Sequence, residues 1–233
     1  MSDRPSKDVL RLRLNRPEQL NAINLSLVNA LISAFDSVDA RAVVLGSSTP
    51  QAFCSGADLD LEDAERARVS DLLYELYEKM VKLPVPIVVA IGGHAVGAGV
   101  QLAIAGDLRV AGPQTKMRVA GPGHGLGVAA WGLPSLIGRG RAMDLCLTMR
   151  PVDAQEALTM RLVDRIDQGP AGAAIDLASA FTRLDPGAVS RVKRVVAEAS
   201  GFFHALREER SGNSATWSGS VTALSLGDGE RDG

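Results

Sequence analysis

An α/β fold is predicted by three observations. Short runs of β-branched and aliphatic residues alternate with segments of helical spacing, a run with no Asp, Glu, Lys or Arg (residues 83–106) passes from β-branched to small residues through a glycine cluster, and the final third is predominantly helical. In chain order, Val9-Leu10-Arg11-Leu12-Arg13-Leu14 alternates with period two, the pattern of a half-buried strand, and Asn15-Arg16-Pro17-Glu18 ends it. Residues 25–39 place Leu27, Ala30, Leu31, Ala34, Phe35 and Val38 on one face, which predicts an amphipathic helix. Residues 41–46 predict a short buried strand leading into a polar loop, 47–59, that turns at Gly56. Residues 60–70 are polar and predict mobile surface, followed by a helix over 71–83 with Leu72, Leu76, Met80 and Leu83 on one face. Its pairs Glu75/Lys79 and Glu78/Lys82 have i,i+4 spacing and read as a solvated face. The run Pro86-Ile87-Val88-Val89-Ala90-Ile91 then meets glycines at 92, 93, 97 and 99, so strand, tight turn and buried helix are expected through Asp107.

Beyond it, residues 108–111 predict a strand and the glycine-rich 121–127 irregular structure. Helices are expected over 139–149 and 153–160, the second with Asp153 as N-cap and Glu156 three residues on. A short strand over 162–166 and helices over 171–183 and 187–209 follow. The organisation expected is a core over 1–170, a helical region over 171–215 and a flexible tail over 216–233.

Composition narrows the function. A net charge of −2 gives no basic footprint for nucleic acid. Cys54 and Cys146 are the only cysteines, too few for a disulfide framework or a metal cluster, so no metal site is expected and a reducing, cytoplasmic setting is. The charged start lacks the apolar stretch of a secretory signal. Residues 83–106 are long enough to span a membrane, but Pro84, Pro86, five glycines, His94 and Gln101 mark them as buried core.

A glycine turn opening a helix leaves peptide N–H groups without intrahelical partners, and such donors can hold an anion or a polarised carbonyl oxygen. The glycines equally suit close packing of helix on sheet, and a lone glycine motif does not choose between the two.

Three stretches together resemble the crotonase family, the enoyl-CoA hydratase/isomerase superfamily: Asn15-Arg16-Pro17-Glu18-Gln19-Leu20-Asn21-Ala22, Ala52-Phe53-Cys54-Ser55-Gly56-Ala57-Asp58-Leu59, and Gly93-His94-Ala95-Val96-Gly97-Ala98-Gly99-Val100-Gln101-Leu102-Ala103 followed by Asp107. The likeness continues through residues 136–142 and 154–157. It implies a spiral of ββα repeats with a C-terminal helical region that assembles homotrimers, often paired into hexamers. The implied ligand is an acyl group carried as a coenzyme A thioester, with no permanently bound cofactor. It also implies that the backbone N–H groups of Ala57 and Ala98 hold the thioester oxygen, and that Ala22, Asp58 and Leu59 line the coenzyme A side. Asp58 reads more readily as a loop-capping carboxylate than as a catalytic one.

The sequence departs from the family where hydratases usually carry two glutamates. The first position holds Gln101, an amide that can orient water but takes no proton at neutral pH. The second falls near Gly121, and no Asp or Glu occurs from 108 to 143. His124 is then the candidate acid or base, or else an exposed loop residue, and His94 is assigned to packing. Three functions stay open: an acyl-CoA-binding homologue without standard hydratase activity, an active crotonase-type lyase or isomerase, and a non-catalytic subunit of a mixed oligomer.

Overall fold

The computed structural model describes residues 1–217. Among the described residues, ten strands and nine α-helices follow one another with a repeated plan. The strands are β1 (Ser2–Ser6), β2 (Val9–Leu14), β3 (Ala42–Ser47), β4 (Ala52–Cys54), β5 (Ile87–Ile91), β6 (His94–Val96), β7 (Leu108–Ala111), β8 (Lys116–Arg118), β9 (Val152–Asp153) and β10 (Arg165–Ile166). The helices are α1 (Leu25–Asp36), α2 (Asp63–Lys82), α3 (Ala98–Ala105), α4 (Leu133–Ile137), α5 (Arg139–Thr148), α6 (Ala154–Thr159), α7 (Pro170–Phe181), α8 (Pro186–Ala199) and α9 (Phe202–Trp217). One sheet has the order β1-β2-β3-β5-β7-β10 and the other β4-β6-β8-β9. Consecutive strands therefore step from the first sheet to the second (β3 to β4, β5 to β6, β7 to β8), with α2 and α3 returning the chain after the first two steps and α6 after β9, which is the expected spiral of ββα units. The pairs β2·β3, β3·β5 and β5·β7 are parallel, as are β4·β6 and β6·β8.

The larger sheet is covered on both faces, which explains its nearly unbroken apolar strands. Successive strand residues point to opposite sides. Val43 and Leu45 of β3, with Ile87, Val89 and Ile91 of β5, enter the main core, whereas Ala42, Val44, Val88 and Ala90 pack against Ala174 and Ala178 of α7. Every residue of α3 is buried, so the small-residue helix runs through the middle of the molecule. No helix among the described residues is long and apolar enough to cross a membrane. Buried charges are paired: Lys193 meets Asp107 at 2.8 Å and Arg109 meets Asp164 at 2.9 Å. The expected N-cap of α6 is present, Asp153 accepting from the Glu156 amide at 2.8 Å.

Several boundaries differ from the sequence reading. Residues 63–70 are at the surface as expected, but they form the first turns of α2, where Val69 is the first buried side chain and Asp63 and Glu65 stand where the helix dipole favours acids. The helix expected over 187–209 is two, because Gly201 takes φ +69° and ends α8. The helix expected over 25–39 stops at Asp36, and the strand expected over 162–166 shrinks to Arg165–Ile166. Between β5 and α3 the chain makes the short strand β6 and not a single turn, and β1 pairs antiparallel with β2 where no strand was expected. Thr216 and Trp217 close α9, and the rest of the expected tail lies outside the described residues.

Bare backbone meets backbone at Gly99, where an added Cβ would stand 2.4 Å from the Cys54 carbonyl oxygen. A backbone atom cannot swing aside, so Gly99→Ala is expected to destabilise by about 1–3 kcal/mol in denaturant unfolding. At Gly140 in α5 an added Cβ meets nothing within 4 Å, and Gly140→Ala should stabilise by about 0.4–1 kcal/mol. Equal stability of the two variants would contradict this packing.

Candidate functional site

Two bends meet at the start of α3. The first follows β4, where Gly56 takes φ +114° and lies so near β6 that an added Cβ would stand 3.3 Å from the Val96 carbonyl oxygen. Beyond it Ile23 forms a parallel bridge to Ala57. The Ile23 amide donates to the Gly56 oxygen at 2.8 Å, and the Asp58 amide donates to the Ile23 oxygen at 2.9 Å. In an extended chain the polar groups of the intervening residue face the other way, so the bridge turns the Ala57 N–H away from Ile23. The second bend is Gly97, φ +51°, which donates to the Arg118 oxygen at 2.9 Å and makes Ala98 the first residue of α3. A first-turn amide has no intrahelical acceptor. Among the described residues neither the Ala57 nor the Ala98 amide has a hydrogen-bond acceptor.

Both alanines line one cavity of about 140 Å³. Its walls come from Val96 and Gln101, from Leu126 and Val128, from Leu73 and Tyr74 of α2, and from Asn213 and Trp217 of α9. Arg66 stands at 5.2 Å from the Trp217 ring centroid. No carboxylate is among these lining residues.

Gln101 is buried, one turn beyond Ala98 on the same helix. Its Oε1 accepts from Trp131 Nε1 at 2.9 Å and from the Ala129 amide at 3.2 Å. Trp131 is fixed in turn: its ring stacks on Tyr77 with centroids 6.0 Å apart, and meets Phe202 edge-on at 5.5 Å. Glu209 of α9 holds the same segment, accepting from the Trp131 amide at 3.0 Å and the Tyr74 hydroxyl at 2.7 Å. Asn213 completes the network by donating to Tyr74 Oη at 2.7 Å. Ala129 lies in the left-handed region, φ +63°, a conformation that costs a non-glycine residue about 1–2 kcal/mol and that these contacts maintain.

The sequence model described as enoyl-CoA hydratase/isomerase matches residues 4–207. The chain belongs to the enoyl-CoA hydratase/isomerase family. A probable enoyl-CoA hydratase of Mycobacterium tuberculosis is 40% identical over 195 residues, covering 81% of this chain and 78% of that protein. Another, of Mycobacterium leprae, is 35% identical over 223 residues, covering 91% and 88%. The crystal structure of an enoyl-CoA hydratase from Bacillus anthracis matches with a TM-score of 0.79 at 27% identity, over 91% of this chain and 89% of that one. The enoyl-CoA hydratase from Bacillus halodurans, at 22% identity and a TM-score of 0.83, covers 94% of this chain and 95% of its own and shares the fold.

In this enoyl-CoA hydratase/isomerase family chain, Ala57, Ala98, Gln101, Leu59 and His124 all line the cavity. Ala22 and Asp58 are not among its lining residues. Asp58 instead pairs with Arg16 at 3.0 Å and accepts from the Asp60 amide at 3.2 Å, the loop-capping role. Arg16 also donates to the Ala22 oxygen at 2.5 Å. Gly121 lies behind the cavity wall, where an added Cβ would be 2.5 Å from Val128 Cγ2 and 2.6 Å from the Leu126 oxygen. That position therefore admits no side chain in this loop conformation. His124 is exposed on the 3₁₀ turn Pro122–His124, and no described residue hydrogen-bonds its imidazole. His94 is exposed on β6, which corrects its assignment to packing. Cys54 is buried and its thiol is pushed up to about 12 by burial, so it is no nucleophile.

The sequence reading missed the ring of Tyr74, Tyr77, Trp131, Glu209 and Asn213. The i,i+3 spacing of the two tyrosines was a visible signal, but nothing local joins them to a residue 135 positions away. Burial holds the Glu209 carboxyl above the usual carboxylate range, against the pull of the Tyr74 hydroxyl and the backbone amides. A folded-state pKa above the unfolded one means that the folded protein binds the extra proton, so this contribution to stability is full below the unfolded pKa and is lost as pH rises through the folded one. Thermal melts should accordingly show the stability of the parent relative to Glu209→Gln decreasing as pH rises above the ordinary carboxylate range. A difference that grows with pH would contradict the buried carboxylate.

Proposed function

We propose that the cavity binds acyl-CoA thioesters, with the thioester oxygen accepting from the Ala57 and Ala98 amides, and that standard hydration of enoyl-CoA is weak. The observation that carries the reading is the pair of amides without acceptors on one cavity. Desolvated N–H groups gain from a partially negative oxygen, and gain more as that oxygen becomes an enolate. The family supplies the coenzyme A thioester as the group that brings such an oxygen. Hydration further needs a base to take a proton from water. Gln101 has its oxygen committed to Trp131 and Ala129, and Gly121 has no room for a side chain. A lost general base costs about 10² to 10⁴ in rate.

A second reading, proton transfer by His124 in an isomerase or lyase, draws on its place at the cavity. It requires that turnover of a 3-enoyl-CoA exceed the buffer rate and vanish in His124→Ala. Assembly into homotrimers or hexamers belongs to the same proposal; Val192, Val195 and Val196 of α8 expose apolar surface for it, and sedimentation velocity reads the state directly.

The test of the ligand site compares butyryl-CoA with S-butyl-CoA, the thioether lacking only the carbonyl. Two hydrogen bonds at about 0.5–1.5 kcal/mol each predict that calorimetry finds the thioester bound about tenfold more tightly. Equal affinities would remove the oxygen-binding role of the two amides.

A further inference from the structure

The hydrogen-bond directions around Tyr74 are fixed by its neighbours. The Gly127 amide donates to Asn213 Oδ1 at 2.8 Å, so the other end of that side chain is the NH₂ group, and an amide nitrogen only donates. Asn213 Nδ2 lies 2.7 Å from Tyr74 Oη, which makes the phenol oxygen the acceptor there. The Tyr74 proton is left for Glu209 Oε1 at 2.7 Å, against 3.3 Å to the Gly127 oxygen. Glu209 Oε2 meanwhile accepts from the Trp131 amide at 3.0 Å. Tyr74 lines the cavity and Glu209 does not, so the phenol, which both donates and accepts, stands between the ligand space and the carboxylate. Among the described residues no cation pairs with Glu209, and Arg210 beside it is taken by Asp71 at 2.7 Å. The titratable groups that face it are Tyr74 and Tyr77 from α2 and Cys146 from α5. Burial outweighs the amide donors and holds the Glu209 carboxyl above the usual range, the direction that a base working near neutral pH requires.

We propose that Tyr74 takes a proton from C2 of a bound acyl-CoA thioester, with Glu209 acting through it. This rests on the acyl-CoA reading above and adds a proton-transfer pair to it. The C2–H bond breaks as an O–H bond forms at Tyr74, while the proton that Tyr74 already holds passes to Glu209 Oε1. The electron pair of the C2–H bond becomes the second bond between C1 and C2, and the carbonyl pair moves onto the oxygen held by the Ala57 and Ala98 amides. Burial disfavours a free phenolate, and none forms, because the phenol gains one proton as it gives up the other. Negative charge therefore leaves the carboxylate and arrives at the two amides that have no other acceptor among the described residues, where it is best stabilised. Reversal of the same steps restores the thioester, and no further reactant is consumed. The step activates no water, so it does not depend on Gln101 and Gly121, the positions that limit hydration.

The experiment incubates the full chain with butyryl-CoA in deuterium oxide and follows the replacement of its C2 protons by NMR across pH, with calorimetric titration of butyryl-CoA alongside. Tyr74→Phe keeps the ring and removes the hydroxyl, and Glu209→Gln removes the proton acceptor with little change of shape. The parent is expected to exchange C2 protons faster than buffer, at a rate that rises with pH and levels off above the ordinary carboxylate range. Each variant is expected to bind butyryl-CoA and to lose about 10²-fold or more of the exchange rate, and Glu209→Gln to lose the levelling-off as well, which a merely structural role for Glu209 would leave in place. Exchange at the parent rate in whichever variant folds and binds, or exchange no faster than buffer by a parent that binds butyryl-CoA, overturns the proton-transfer pair and leaves the acyl-CoA site standing. Exchange abolished in His124→Ala and kept in Tyr74→Phe does the same. Failure of the parent to bind butyryl-CoA overturns the acyl-CoA reading and the pair with it.

Discussion

The site depends on one steric constraint, the contact of bare backbone between the end of β4 and the first turn of α3. At Gly99 the Cys54 carbonyl occupies the space where a side chain would begin, and at Gly56 the Val96 carbonyl closes in from the other strand. Only with both glycines do the two bends draw together tightly enough for Ala57 and Ala98 to share a cavity. The parallel bridge from Ile23 then spends the amides on either side of Ala57 and leaves that of Ala57 itself. The helix start does the same for Ala98. Two donors are thus exposed by topology, with no side chain committed to the purpose.

Around this backbone feature the protein has built rigidity from the C-terminal helix inward. Glu209 and Asn213 reach from α9 to the backbone at 127–131 and to Tyr74, and Trp131 passes the constraint on to Gln101. The buried carboxylate lies one step removed from the cavity, as a holder of the wall that positions the amide. Glu209 thus stands beside the ligand space without lining it.

Much of this was legible in the sequence because it is local. The β-branched runs and the glycine spacing at 92–99 identify strands and a buried helix from residues adjacent in the chain, while the family and the two amides were expected from the resemblance of three short motifs. The N-cap at Asp153 was legible for the same reason. What was not legible is long-range or masked by polarity. The early turns of α2 carry too few apolar residues to show a period, and Glu209 meets Trp131 across 78 positions. Asp58 illustrates a third case: the loop-capping role was legible, but its partner Arg16, 42 positions away, was not.

The central claim is that the amides of Ala57 and Ala98 polarise one carbonyl. Isotope-edited infrared spectroscopy of butyryl-CoA labelled with ¹³C at C1 reads that bond directly. Two donors on the oxygen weaken the C=O bond, so the carbonyl band of the bound thioester should move to lower frequency than in water; a band at or above its free position, under saturating binding, would contradict the account.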